Sequence, residues 1–235
     1  MINICQNKYN KNTTQFFYIR SFVLRQRRLT KHKKHIIENK SNLLVNFSYD
    51  TINMVSLFGN DAPVVMEIGF GRGDSLVEMT KLNFSQNFLG IEVYIPGISS
   101  CINLATREKI TNLRLIHHNA VEVLEYMIPD SSLFTVQLFF PDTWEKKRHN
   151  KRRIVQIPFA ELILRKLKIG GFFHIVTDSK NYAEHILNIL NGIRGYKKQS
   201  VYSAVTRPSN RILTKFEQRA HIMGQEIWDI KFLKV

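Results

Sequence analysis

Cysteine is almost missing from this chain: only Cys5 and Cys101 occur in 235 residues. Two are too few for a disulfide framework and show no metal-ligand spacing, so a reducing compartment is expected and a metal site is not. Long apolar runs are missing as well. No segment approaches the ~18 residues that cross a bilayer, and Met1 to Gln15 carries Lys and Asn where a signal peptide needs an apolar core. A cytoplasmic location away from membranes follows as the expectation. Internal repeats and low-complexity tracts are absent, and acids are scarce, with 19 Asp and Glu against 34 Lys and Arg for a net charge of +15.

What is present is a 44% apolar chain long enough to bury a full core, either as one domain or as one domain with an arm. The excess charge is segregated. Residues 1–40 hold ten Lys/Arg against one acid, Glu38, and Lys146 to Arg153 hold six more cations; the remainder is neutral. Solvated tails explain such blocks in part. Clustered cations facing phosphates explain them better, because each neutralised phosphate releases counterions and contributes roughly −0.7 to −0.9 to the salt slope of binding.

Residues 1–61 are polar and basic with a weakly amphipathic middle (Leu43, Leu44, Val45, Phe47) and no strand alternation. They read as a partly disordered arm, in which Arg20-Ser-Phe-Val-Leu-Arg-Gln-Arg-Arg suits packing on a domain while reaching for phosphate. Residues 62–235 form the domain. Short apolar runs alternate there with helical periodicity, the signature of a mostly parallel sheet covered on both faces. Strands are expected at Val64 to Ile68, Phe88 to Val93, Leu113 to His117, Phe134 to Phe140 and Phe172 to Thr177. Helices open near Asp74, Pro96, Ala120, Pro158 and Asn181, the prolines at first-turn positions where the missing donor costs nothing. Phe159, Leu162, Ile163 and Leu167 form an apolar stripe facing the sheet. Val201 to Val205 and Ile227 to Leu233 suit an antiparallel hairpin at the sheet edge.

Glu67-Ile-Gly-Phe-Gly-Arg-Gly ends the first domain strand. Gly69 and Gly71 permit a tight turn and close approach of a ligand. Asp74 stands where a dinucleotide fingerprint needs glycine and would repel a pyrophosphate, and no Gly-Lys-Ser/Thr follows as a P-loop requires. Glu92, at the end of the next strand, suits ribose hydroxyls, the competing reading being an exposed strand-end acid. Glu67 and Glu92 without a compensating lysine fit a cationic nucleoside, and S-adenosylmethionine carries a sulfonium, an ammonium and a ribose. His117-His118-Asn119 ends the third strand; Asn119 can accept from an exocyclic amine, while adjacent histidines face opposite ways and make no metal site.

Leu138 to Arg153 reads L-F-F-P-D-T-W-E-K-K-R-H-N-K-R-R. A buried strand stops at Pro141, presents Asp142 and Trp144, and breaks into cations. One acid bordered by so much positive charge points to nucleic-acid chemistry, with a polyanion held and one base handled. Arg148, Lys151, Arg152 and Arg153 are candidate phosphate contacts. Trp144 suits base stacking or loop anchoring equally, and Asp178 either joins the ligand edge or caps the next helix. No recognition-helix motif argues for a simple DNA-binding module.

Taken together, Glu67-Ile-Gly-Phe-Gly, Gly90-Ile-Glu-Val, the stretch Phe139 to Arg153 and Thr214-Lys-Phe-Glu resemble the bacterial tRNA (guanine-N7)-methyltransferase family, from about Arg20 through Asp229. The resemblance implies a class I Rossmann-like methyltransferase using S-adenosylmethionine, with the tRNA variable-loop guanine at position 46 as substrate. It implies that Glu67, Glu92, Asn119 and Asp142 contact the cofactor, beside the turn glycines Gly69 and Gly71 read above as cofactor-binding, and that Asp142 is the catalytic acid. Lys146, Asp178, Thr214, Lys215, Phe216 and Glu217 match substrate-contacting positions. Several positions depart from the family pattern: Asn119 replaces Asp, Thr143 replaces Pro, Glu145 replaces His, Ser179 replaces Trp, and Ala220 and Gln225 replace Gly and His. None removes a group the chemistry requires, though a neutral Asn119 weakens cofactor affinity. The assembly expected is a monomer or a homodimer. Two other functions fit the residues: a methyltransferase of the same fold acting elsewhere on RNA, and a non-catalytic RNA-binding protein with a degenerate cofactor pocket.

Overall fold

Two interleaved periodicities, strand runs and amphipathic helices, resolve into one sheet with helices on both faces. The computed structural model describes residues 21–22, 42–202, 217–218, 222–224 and 226–235. In chain order the elements are β1 (Leu44–Val45), α1 (Met54–Phe58), β2 (Val64–Ile68), α2 (Asp74–Leu82), β3 (Asn87–Glu92), α3 (Ile95–Arg107), β4 (Leu113–His117) and α4 (Ala120–Glu122). A π-helical turn (Val123–Met127) extends α4. Then follow β5 (Leu133–Phe139), a 3-10 turn (Lys147–Arg152), α5 (Ile157–Lys166), β6 (Leu167–Thr177), α6 (Lys180–Gly192), β7 (Tyr196–Tyr202) and β8 (Trp228–Lys234).

The eight strands order as β1-β4-β3-β2-β5-β6-β8-β7. Pairings from β1 through β6 are parallel, whereas β8 runs antiparallel to both neighbours. All five strands expected in the domain form within a residue or two, except that β6 begins five residues early, at Leu167. The five expected helix openings are also met. β2 is buried at every position, as a parallel strand covered on both faces must be.

Two features differ from expectation. Leu44 and Val45, read as part of the arm, form an edge strand in register with Leu115 and Ile116, and Phe47 stacks on His118 at 3.7 Å. Two residues are too few for alternation to show in sequence. The C-terminal strands do pair antiparallel, but β8 lies inside, between β6 and β7, with Ile230 and Phe232 fully buried. β7 spans residues 196–202 rather than 201–205, and residues 203–205 lie outside the described ones.

The core divides into two layers. Met66, Leu138, Ile163, Phe173 and Tyr182 pack beneath α4, α5 and α6, while Val65, Leu76, Phe88, Ile98 and Cys101 pack beneath α2 and α3. The expected stripe Phe159, Leu162, Ile163 and Leu167 is buried, although Leu167 is the first residue of β6. Strand order reverses at β2, where β3 lies to one side and β5 to the other. Open α/β sheets place ligands in the crevice beyond the carboxyl ends of such strands. Among the described residues, no helix is long and apolar enough to cross a membrane, and no group of three or more His, Cys, Asp or Glu could hold a metal ion.

Candidate active site

A cleft of about 490 Å³ opens at that crevice, a size suited to a nucleoside-sized ligand. Gly69, Glu92, Asn119 and Asp142 line it together, from the ends of β2, β3, β4 and β5. The structure therefore unites four candidates separated by as much as 73 positions in sequence.

The Gly-rich turn is held from both ends. Gly69 donates its N–H to Ile91 O at 2.8 Å, and Gly71 donates to Glu92 Oε2 at 2.8 Å. Both glycines adopt left-handed φ, +75° and +60°, and a Cβ built on either would meet nothing within 4 Å. That open space lies over the turn, where a ligand can approach the backbone. Glu92 is buried, which excludes its reading as an exposed strand-end acid. Its Oε1 accepts from Val93 N at 2.7 Å and Tyr94 N at 3.0 Å. Burial raises its pKa, opposed by the N–H donors of Tyr94, Gly71 and Val93.

Glu67 is not among the residues lining the cleft, although Ile68 and Gly69 beside it are; it is 3% exposed, and among the described residues its Oε2 has no hydrogen-bond partner. Burial, and secondarily the charge of Glu92, push its carboxyl up to about 8. At neutral pH the carboxyl keeps its proton, and a positive charge arriving nearby would favour its ionised form. The open turn, the unpartnered Glu67 oxygen and, among the described residues, a cleft lining without lysine fit a cationic nucleoside cofactor, and these residues would hold one.

Asn119 lines the cleft but also caps α4. Its Oδ1 accepts from Val121 N at 3.1 Å and its Nδ2 donates to Glu122 Oε1 at 3.2 Å, so one oxygen lone pair is left for a ligand amine. The two histidines diverge as strand alternation requires. The His117 Nε2 meets Val93 O at 3.1 Å, and the His118 Nε2 meets Glu122 Oε2 at 2.6 Å.

Asp142 is exposed at the mouth, on a loop entered and left through strained backbone: Phe140 has φ +49° and Trp144 φ +48°. Trp144 is an anchor. Its Nε1 donates to Ser21 O at 3.1 Å and its ring carries the Arg152 guanidinium at 3.8 Å. Ser21 and Phe22 also line the cleft, so the apolar residues interleaved in the basic arm bring part of that arm to the site.

The cationic run divides. Lys146, Lys147, Arg148 and Lys151 are exposed on or beside the 3-10 turn, and burial with the charges of Arg148, Arg152, Lys146 and Lys151 holds His149 below its usual pKa. Arg153, expected among the phosphate contacts, is instead buried at 2% exposure. It donates from Nε to Thr143 O at 2.9 Å and from Nη2 to Asn181 Oδ1 at 2.6 Å. Sequence could not separate it from its neighbours, because burial here is set by partners ten and twenty-eight positions away. Asp178 is exposed at the end of β6 and is not the helix cap; Ser179 caps α6, accepting from Tyr182 N at 3.3 Å. Glu217 is buried, whereas Thr214, Lys215 and Phe216 lie outside the described residues.

This sheet order with a ligand cleft at its reversal defines a Rossmann-like methyltransferase, and residues 61–230 match a family described as putative methyltransferase. The solved 30S ribosomal A1408 methyltransferase from an uncultured bacterium shares the fold with a TM-score of 0.55, at 16% identity, over 82% of this chain and 98% of that one. Geranyl diphosphate C-methyltransferase from Streptomyces coelicolor A3(2), solved with S-adenosyl-L-homocysteine, gives 0.52 at 14% identity, over 74% of each chain. At the sequence level the similarity is much closer. The tRNA (guanine-N(7)-)-methyltransferases of Cronobacter sakazakii and Salmonella typhimurium are 51% and 52% identical, over 99% of this chain and 98% of theirs. The chain belongs to the tRNA (guanine-N7)-methyltransferase family.

Proposed function

We propose that this chain transfers a methyl group from S-adenosylmethionine to N7 of guanine in tRNA, at variable-loop position 46, with Asp142 as the catalytic residue. The observation that carries the reading is the convergence of Gly69, Glu92, Asn119 and Asp142 on one cleft, with a run of exposed cations beginning four residues beyond Asp142. When bound, the cofactor would supply an electrophilic methyl on a sulfonium; the N7 lone pair needs no prior deprotonation, and as the new C–N bond forms the C–S bond breaks and the demethylated thioether leaves. Glu67 would contribute negative charge toward the cation, Glu92 and Gly71 would hold the ribose, and Asn119 would accept from the adenine amine. Asp142, at the mouth, faces the base. It stabilises the positive charge that develops on the guanine, or accepts from N1–H and N2–H to orient it; either interaction is electrostatic and preorganised. Lys146, Asp178 and the segment Thr214 to Glu217 complete the substrate side. The expected division of labour is an arm over residues 1–61 that assists RNA binding and a catalytic domain over 62–235, in the cytoplasm, as a monomer or homodimer.

The decisive experiment incubates the protein with labelled cofactor and unmodified tRNA and maps the methylated nucleotide. Label at guanine 46 N7 is the expected result; label at another atom or position would select a different RNA substrate. Asp142→Ala should still bind cofactor yet lose turnover by orders of magnitude, about 10²-fold or more. Near-normal turnover would remove Asp142 from the chemistry.

A further inference from the structure

Within the cationic run, Arg153 has the environment of a core residue. Its guanidinium stem is enclosed, its Nε is committed to Thr143 O at 2.9 Å and its Nη2 to Asn181 Oδ1 at 2.6 Å. The Tyr182 ring lies 4.8 Å beneath it. Tyr182 is itself fully buried and takes the Val155 N–H on its hydroxyl at 3.3 Å. The planar fork of arginine thus spans two elements: a carbonyl one residue beyond Asp142 on one side, and the first turn of α6 on the other. Lysine has a single nitrogen and cannot make both contacts with one fixed geometry.

The loop that Arg153 holds needs holding. Phe140 and Trp144 both occupy left-handed backbone, which is strained for a residue with a side chain. Such a conformation persists only when its surroundings over-determine it. Contacts among the described residues that do so include Phe140 N to Val176 O at 2.8 Å, the Trp144 indole to Ser21 O, Arg152 over the Trp144 ring, His149 against that ring, and Arg153 to Thr143 O. The last acts on the residue next to Asp142.

We infer that Arg153 is a positioning residue, which ties the loop carrying Asp142 to the first turn of α6 and makes no contact with RNA phosphate. The inference rests on the reading of Asp142 as the catalytic residue. Arg153 acts before substrate arrives, by fixing where the carboxylate stands. A displacement of about 1 Å at a reacting group costs on the order of 10²-fold in rate.

The test uses the full chain and three variants. Arg153→Lys keeps the charge and loses the fork; Asn181→Ala removes one anchor from an exposed position, so folding is spared; Asn181→Asp restores the acceptor oxygen. Arg153→Lys and Asn181→Ala should each lower kcat about 10- to 100-fold, with tRNA KM and the salt slope of tRNA binding unchanged, and Asn181→Asp should recover most of the rate. In a Trp228→Phe background, Trp144 fluorescence should become more accessible to acrylamide in Arg153→Lys and Asn181→Ala. The inference is overturned if Arg153→Lys weakens tRNA binding and flattens the salt slope with kcat intact, which would make Arg153 a phosphate ligand. It is overturned equally if both variants keep kcat within twofold and Trp144 is as shielded as in the parent. Asp142→Ala, run alongside, separates the two ideas. Retained turnover there defeats the catalytic reading alone, while Trp144 shielding still reports whether Arg153 and Asn181 hold the loop.

Discussion

Glu67 shows how one buried side chain links stability to ligand binding. Its carboxyl, raised to about 8 by burial and by Glu92, keeps its proton at neutral pH until something positive arrives. A folded-state pKa above the unfolded value contributes stability that is complete below about 4.5 and lost as pH rises through about 8. The cofactor-free protein should therefore lose thermal stability between pH 5 and 9, and Glu67→Gln should flatten that decline, raising the midpoint at pH 9 by roughly 5 °C. Cofactor binding should release a proton at pH 7, measurable by calorimetry in two buffers of different ionisation enthalpy, and the release should vanish in Glu67→Gln. Sequence marks Glu67 as a candidate by the Gly-rich turn it precedes. Its unpartnered oxygen was not, because that depends on what β3, β5, α2 and α3 leave around it.

The turn between β2 and α2 is fitted against α3 with no room to spare. A Cβ at Gly97, in the first turn of α3, would lie 2.0 Å from Gly71 O, a backbone atom that cannot rotate away. Gly97→Ala should destabilise the fold by about 1 to 3 kcal/mol. It should also weaken cofactor affinity, since the displaced Gly71 is the N–H donor to Glu92; thermal melts and calorimetry check the two effects separately. Sequence marks Gly69 and Gly71 by their place in the motif and leaves Gly97 unmarked, its constraint arising only where two helices and a turn meet. Helix openings were readable because caps and prolines act locally. β1 was not, since Leu44 and Val45 become a strand only through β4 beside them.

The whole molecule carries its excess charge in two blocks, and the second begins four residues beyond Asp142, which lines the cleft. Lys147, Arg148 and Lys151 are exposed there, so replacing all three by Ala should weaken tRNA binding and reduce the log–log salt slope by about 2 to 3 if each meets one phosphate. An unchanged slope would make this block a solvated surface. The prediction excludes Arg153, whose charge is turned inward, and Arg152, whose guanidinium lies on Trp144. Electrostatics of this kind acts on the approach and register of the RNA, whereas the placement of the methyl acceptor belongs to the loop and the cleft.

Amino-acid order alone determined the strand and helix positions of the domain, the Gly-rich turn and the acids at successive strand ends. These are local properties: apolar runs, periodicity and backbone freedom are written within a few residues. Tertiary structure alone decided that β8 enters the sheet between β6 and β7, that part of the arm joins the sheet edge, and that Ser21 and Phe22 border the cleft. It also decided which cations of one continuous run face solvent and which is buried. Adjacent arginines are chemically alike, and only the distant carbonyl and amide that surround one of them give it a different task.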